Sequence, residues 1–225
     1  MRDIVKMTLA DQIYAILRED IISQDIMCGE KLTLKALQER FGLSSTPIRE
    51  AIKRLSQEGL VDNVTNVGAK VVVIGEKDIV DIYDFCSLLD VAALKKAVNS
   101  GKTDSLISEL SKCLELQELA LEQGNIEGFK QHSHDFHDIL FKYADNSRLY
   151  DASIRIRSQF SILTNRYQNY TNAETTVCKE HKGILDAIMA KNYDKALILM
   201  ENHFEHAKNY LLENIRDKNR VNSFS

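Results

Sequence analysis

The 225-residue chain has no tryptophan, a single proline and only nine glycines. So few breakers cannot turn many strands, so a mainly helical protein is expected. Its four cysteines, Cys28, Cys86, Cys113 and Cys178, stand far apart without C-x-x-C spacing, which excludes a small disulfide framework and fits reduced thiols. No stretch of about 18 apolar residues lacks a charge, so no membrane span is expected. A basic, then apolar leader is also missing, which makes a cytoplasmic location the expectation. P-loop, G-x-G-x-x-G and G-x-S-x-G motifs are absent, and the enzyme classes built on them go with them. What remains is 44% hydrophobic and 28% charged residues, enough to bury a real core in a chain of two-domain length.

Formal net charge is −4. Residues 1–75 hold ten Lys/Arg against ten Asp/Glu, and residues 76–225 hold nineteen against twenty-three, so the acidity that would repel an anionic partner belongs to the second part. No repeat or Ser/Gly-rich linker marks a boundary; the local pattern changes near Ile74. Two domains, 1–75 and 76–225, are expected.

In the first part, Leu9, Ile13, Ile16, Leu17 and Ile21 recur at helical spacing, which predicts an amphipathic helix over Thr8–Ile22. Leu34, Leu37 and Phe41 predict a second, short helix that Gly42 ends as a left-handed cap. The next helix must start almost at once. Ser44, Ser45 and Thr46 offer oxygens to its open amides, and Pro47 suits its first position. Helices joined by so tight a turn suggest a helix-turn-helix.

At about 100° per residue the third helix puts Ile48, Ala51, Ile52 and Leu55 on one face and Ser45, Thr46, Arg49, Lys53 and Ser56 on another. The second face carries donors. Arg can read guanine O6 and N7 bidentately, while Ser, Thr and Lys suit phosphates and base edges. After Gly59, residues 60–73 alternate as a hairpin around Thr65-Asn66-Val67-Gly68, the wing of a winged helix. These same features would also serve a winged-helix interaction protein that binds no DNA.

The first part resembles the GntR family of bacterial transcription regulators. The resemblance rests on Cys28-Gly29-Glu30-Lys31-Leu32, on Leu37 to Ser44, and on Ser44-Ser45-Thr46-Pro47-Ile48-Arg49-Glu50-Ala51-Ile52 continuing to Glu58-Gly59-Leu60. It implies operator DNA as partner, with Gly68 in the wing. Ser45 stands where the family usually has Arg, and Asn66-Val67-Gly68 replaces a Gly-Arg-Gly wing tip. Both departures remove cations, implying an operator affinity or preference different from the family norm.

Beyond Glu76, helical patterns run over Lys77–Asn99, Thr103–Gln123, Ile126–Ala144, Ser147–Tyr167, Ala173–Lys191 and Tyr193–Arg216, an all-α bundle. Winged helix followed by bundle, with Phe136-His137, Glu180-His181 and Met200 to His203, resembles the FadR-type subfamily carrying an FCD ligand-binding domain. His137, His181 and His203 lie on three predicted helices that can converge on one ion, and imidazole suits zinc or nickel. The resemblance implies a divalent metal on these three His plus an Asp four residues before the first. That position is Ser133, a neutral replacement, and His134 is the alternative. Three neutral imidazoles would then leave an ion without compensating charge. Cys178, three residues before His181, is a weaker candidate.

The resemblance also implies a small organic acid effector, and a homodimer is expected because one recognition helix and one wing cover only a half-site. Where many members carry Arg in the first bundle helix, this chain has Cys86 after Ile82-Tyr83-Asp84-Phe85. A carboxylate would fall instead to the metal or to Arg155, Arg157 or Arg166, with Tyr83 supplying a polar tip. A metal-dependent bundle enzyme is the competing class. Di-iron enzymes need paired Glu-x-x-His, however, and the residues three before the histidines are His134, Cys178 and Met200.

Overall fold

The structure, a computed structural model, describes residues 7–64, 68–166 and 173–222, with the side chains at 63, 64, 68, 166 and 217–222 excepted. Two compact units emerge, Met1–Asp78 with Ile154–Gln168, and Ile79–Ser153 with Asn169–Ser225. They are not two consecutive stretches of chain. Ile154–Gln168, expected with the bundle, groups with the winged-helix segment.

In the first unit, α1 (Leu9–Ser23) opens on a capping box in which Thr8 Oγ1 accepts from the Asp11 amide at 3.1 Å. The Thr8 amide donates to Asp11 Oδ2 at 2.9 Å in return, satisfying orphan groups reciprocally. α2 (Leu34–Phe41) starts at Thr33, whose Oγ1 accepts from the Ala36 amide, and ends at Gly42 with φ +66, a left-handed cap that favours glycine. α3 (Ser45–Gln57) follows. Ser44 makes no side-chain cap bond, contrary to expectation. Pro47 falls at the third helical position, still inside the first turn where amides have no intrahelical acceptor. Ile13, Leu17, Ile21, Ile48, Ala51 and Leu55 are buried, whereas Leu9 and Ile16, expected on the same face of α1, are exposed.

The hairpin forms as β2 (Val61–Val64) and β3 (Gly68–Val71), antiparallel, with Val61 opposite Val71 and Val64 opposite Gly68. Its tip, residues 65–67, lies outside the described residues. A two-residue strand β1 (Lys31–Leu32) adds to β3, giving the order β1-β3-β2. The sequence pattern did not show this strand.

The second unit contains α4 (Glu76–Val98) from Ile79 onward, α5 (Thr103–Glu122), α6 (Ile126–Ala144), the start of α7 (Ser147–Arg166), α8 (Glu174–Met189) and α9 (Tyr193–Asn222). α5 packs on α6 and α8, and α8 on α9. Leu94, Leu106, Leu110, Phe136, Leu140 and Ile184 are fully enclosed. The mainly α class and the bundle are as the sequence implied.

α7 completes the first unit with its later part. Ser158 Oγ donates to Glu58 Oε1, Gln159 Nε2 donates to the Gly59 carbonyl at 3.0 Å, and Asn165 Nδ2 donates to the Ile22 carbonyl at 3.1 Å. Gly59 has φ +77, and a Cβ there would meet Arg155 Cγ at 2.5 Å. Glycine is therefore needed both for the turn and for the close approach of α7.

Candidate DNA-reading helix and imidazole cluster

Three cations lie on α3 beyond its first turn, and the structure separates them. Arg54 Nη1 pairs with Asp11 Oδ1 at 2.5 Å, and its guanidinium lies 4.1 Å over the Tyr14 ring, so it ties α3 to α1. Arg49 and Lys53 are exposed, and neither enters an ion pair among the described residues. Thr46 is exposed, while Ser45 and Ser56 are half-buried. Gly68 takes part in the wing through its pairing with Val64. The polar face expected of a recognition helix is present, with Arg49 and Lys53 its unspent charges.

Below α3, Glu58 is only 7% exposed. Its carboxylate accepts from Tyr14 Oη at 2.5 Å, from Arg18 Nε at 2.8 Å and from Ser158 Oγ. The Tyr14 hydroxyl is pushed above its ordinary pKa, first by burial and then by its bond to Glu58. Sequence reasoning used Glu58 only as part of a motif. Its signal was a charged residue immediately after a helix whose other face is apolar.

In the second unit His137 on α6, His181 on α8 and His203 on α9 come together, one nitrogen of each lying within 4.8 Å of the others. All three are buried. The His181 ring stacks on Phe136 at 4.2 Å between centroids and 4° between planes, which fixes its plane. Behind each ring stands an acceptor. Asp90 Oδ1 is 2.7 Å from His137 Nδ1, Gln117 Oε1 is 2.9 Å from His181 Nδ1, and Glu180 Oε2 is 2.7 Å from His203 Nδ1. Glu180 Oε1 also meets His206 Nδ1 at 2.8 Å. Burial, then the neighbouring His203 and His137, hold the His181 pKa well below the usual 6.5, so this ring is neutral with a lone pair.

Other expectations resolve differently. His134 does not join the cluster, which among the described His, Cys, Asp and Glu contains the three histidines only. Ser133 is half-buried one turn before His137. Cys178 sits apart with Ala120 and Phe129, its thiol pushed up to about 11 by burial, so it offers no thiolate. All four cysteines are unbridged.

Arg155 and Arg157 belong to the first unit, Arg155 lying against Gly59, so they are not groups of the unit that holds the imidazoles. The helical pattern over Ser147–Tyr167 did not show which residues α7 would pack on. The Arg166 side chain lies outside the described residues. Tyr83 is buried, its hydroxyl pKa raised by burial, and lines a groove of about 270 Å³ with Asp84, Leu88, Phe204 and Lys208. A larger groove, about 810 Å³, runs past Cys113, Leu116, His132, Ile139 and Tyr150. Neither groove is lined by the three imidazoles.

Residues 9–71 match the family described as bacterial regulatory proteins, gntR family, and residues 81–206 match the FCD domain. The chain belongs to the GntR family and carries an FCD domain. It is 27% identical over 192 residues to the gluconate operon transcriptional repressor of Bacillus subtilis (strain 168), covering 83% of this chain and 77% of that one. It is 24% identical over 212 residues to the HTH-type transcriptional repressor RspR of Escherichia coli (strain K12), covering 94% and 91%. The fold is shared with E. coli McbR/YncC at a TM-score of 0.77 and 19% identity, covering 93% of this chain and all of that one. This GntR-family chain is thus a transcriptional regulator and not an enzyme. No helix among the described residues is long and apolar enough to cross a membrane.

FCD domains often bind a metal, and the donor chemistry here fits one. His181 Nε2 is buried without a hydrogen-bond partner, a state that an ion would relieve. With each Nδ1 engaged from behind, Nε2 is the nitrogen left to coordinate, the arrangement usual for metal-ligating imidazoles. His137, His181 and His203 would hold such an ion as nitrogen ligands, a donor set that suits zinc or nickel.

Proposed function

We propose that this regulator dimerises and reads a near-palindromic operator through α3 and its wing. Its operator affinity changes when a small organic acid enters the helical unit, and that unit holds a divalent ion, zinc or nickel, on His137, His181 and His203. The DNA-reading role falls to residues 1–75 and the effector and dimer roles to 76–225, apart from the part of α7 that packs on Glu58. One recognition helix and one wing cover a half-site, so two-fold symmetry matches a palindrome. An ion, when bound, would supply a Lewis-acidic anchor for a carboxylate.

Arg49 would read a base, Lys53 would hold a phosphate or neighbouring base edge, and Ser45, Thr46 and Ser56 would add hydroxyl contacts. The observation that carries the ion-linked part is the orphaned His181 nitrogen inside a buried three-imidazole cluster. Native mass spectrometry with elemental analysis reports dimer mass, ion and any co-purified acid together. Protein free of metal after incubation with zinc or nickel would remove the ion. For the DNA part, Arg49→Ala is tested on a duplex selected by the full chain from a random-sequence pool. It should cost about 1–3 kcal/mol and relax sequence preference. Unchanged affinity at fixed salt would refute the assignment of Arg49.

A further inference from the structure

Asp90 and Gln117 are 2% and 0% exposed, each set mid-helix among apolar residues. Cys86, Leu89, Ala93 and Leu94 flank Asp90 on the buried face of α4. Cys113, Leu114 and Ala120 flank Gln117 on α5. A carboxylate and an amide in such places are strongly disfavoured unless hydrogen-bonded. Each bonds to the Nδ1 of one of the clustered imidazoles, and Glu180 on α8, less deeply buried, does so too.

We infer that Asp90, Glu180 and Gln117 form the outer layer of the ion site, and that Asp90 and Glu180 carry the negative charge which the family's ligating Asp would supply at Ser133. The inference rests on the ion reading above and deepens it. An acceptor at Nδ1 holds the proton there, so the Nε2 lone pair of each ring is the one offered inward. Two carboxylates behind His137 and His203 hold those rings in place and offset a divalent charge that neutral rings alone leave unbalanced. The third ring is backed by an amide instead. Gln117 must present Oε1, because its Nε2 would force the His181 proton onto the inward nitrogen. That orientation leaves Gln117 Nε2 buried without a partner. An all-nitrogen inner layer also excludes hard cations such as magnesium and calcium, which need oxygen ligands. It leaves the remaining coordination positions to water or an added anion.

The test separates charge from position. Asp90→Asn and Glu180→Gln keep a carbonyl acceptor and lose only the charge, whereas Asp90→Ala loses both. Zinc affinity of the full chain, measured by chelator competition, should fall about tenfold in each of the first two variants and toward a hundredfold in Asp90→Ala. Ser133→Ala and His134→Ala should bind zinc as the wild type does. Nitrogen NMR of the metal-free wild type needs no variant, and should show His137, His181 and His203 protonated at Nδ1. Wild-type protein that takes up no zinc overturns the ion reading and this inference with it. Wild-type protein that binds, while Asp90→Asn and Glu180→Gln bind within twofold of it, overturns the inference alone, as would Nε2-protonated rings.

Discussion

Replacing Glu58 by Ala should be among the most damaging single changes in the first unit. Three donors from two helices end on this one carboxylate, Tyr14 and Arg18 from α1 and Ser158 from α7. Hydrogen bonds to a charged group contribute about 1.5–3 kcal/mol each, but that of Arg18 must be discounted, since its side chain is 36% exposed and solvent screens it. The Ser158 and Tyr14 hydroxyls keep most of theirs. Truncation also leaves Ser158, itself buried, with an unsatisfied donor. Removing one partner of a buried charged cluster costs about 3–5 kcal/mol, and the solvation regained by the lost carboxylate places Glu58→Ala at about 3 kcal/mol. Glu58→Gln retains the shape and one acceptor oxygen for Arg18 and Ser158, while its amide can face the Tyr14 oxygen, so about 1–2 kcal/mol is expected.

Two units need not unfold together, so hydrogen exchange is the appropriate assay. Amides of α1 and α3 at Ile13, Leu17 and Leu55 should exchange about a hundredfold or more faster in Glu58→Ala. Ile162 and Leu163 on α7 should follow them. The helices α5, α6, α8 and α9 should not. A Glu58→Ala variant within about 1 kcal/mol of wild type would refute the reasoning, as would a Glu58→Gln variant equally destabilised.

Lys53→Ala should weaken binding to all DNA sequences alike and lower the salt slope of log K by about one, checked by affinity at several salt concentrations. Sedimentation should show a dimer at micromolar concentration with and without DNA, and a monomer in both would count against the two-fold reading. The depressed pKa of His181 carries a signed consequence for chelated protein. The unfolded chain binds the proton first, so stability present above pH 6.5 is lost as the pH falls below it, by at most about 1.4 kcal/mol per unit. Urea midpoints at pH 7.5 and 5.5 should differ more in wild type than in His181→Gln; equal differences would exclude the histidine as the cause.

Periodicity and caps made the helices legible. Apolar spacing set the face of α3 and, apart from the exposed Leu9 and Ile16, that of α1, while Gly42 ended α2 and Ile126–Ala144 was bounded as the sequence implied. Register across the chain was not legible. β1 is two residues long and exists only because Lys31 and Leu32 meet Lys70 and Ala69, and a pattern needs more than two residues to alternate. The imidazoles were found as residue types on separate helices, but their partners were missed, although a signal existed. Asp90 follows Cys86 by four residues and precedes Leu94 by four, so a charge interrupts an apolar stripe, and Gln117 does the same between Cys113 and Ala120. The expectation of an uncompensated ion counted only the three rings and not the carboxylates of Asp90 and Glu180 bonded behind two of them.

The chain passes between the two units inside helices. One covalent passage follows Ile74 to Lys77 at the start of α4, where Asp78 Oδ2 accepts from the Gly75 amide at 2.8 Å. A second covalent route exists, because the passage from Ser153 to Ile154 between units falls inside α7. In the first unit Arg155, Ser158 and Gln159 of α7 lie against Glu58 and Gly59 at the end of α3. Glu58 is also bound from α1, and α1 holds Arg54 of α3 through Asp11. The recognition helix is thus braced at two points along its length by the same polar network that receives α7. Arg49 and Lys53, between the helix start and those braces, keep their side chains clear of it.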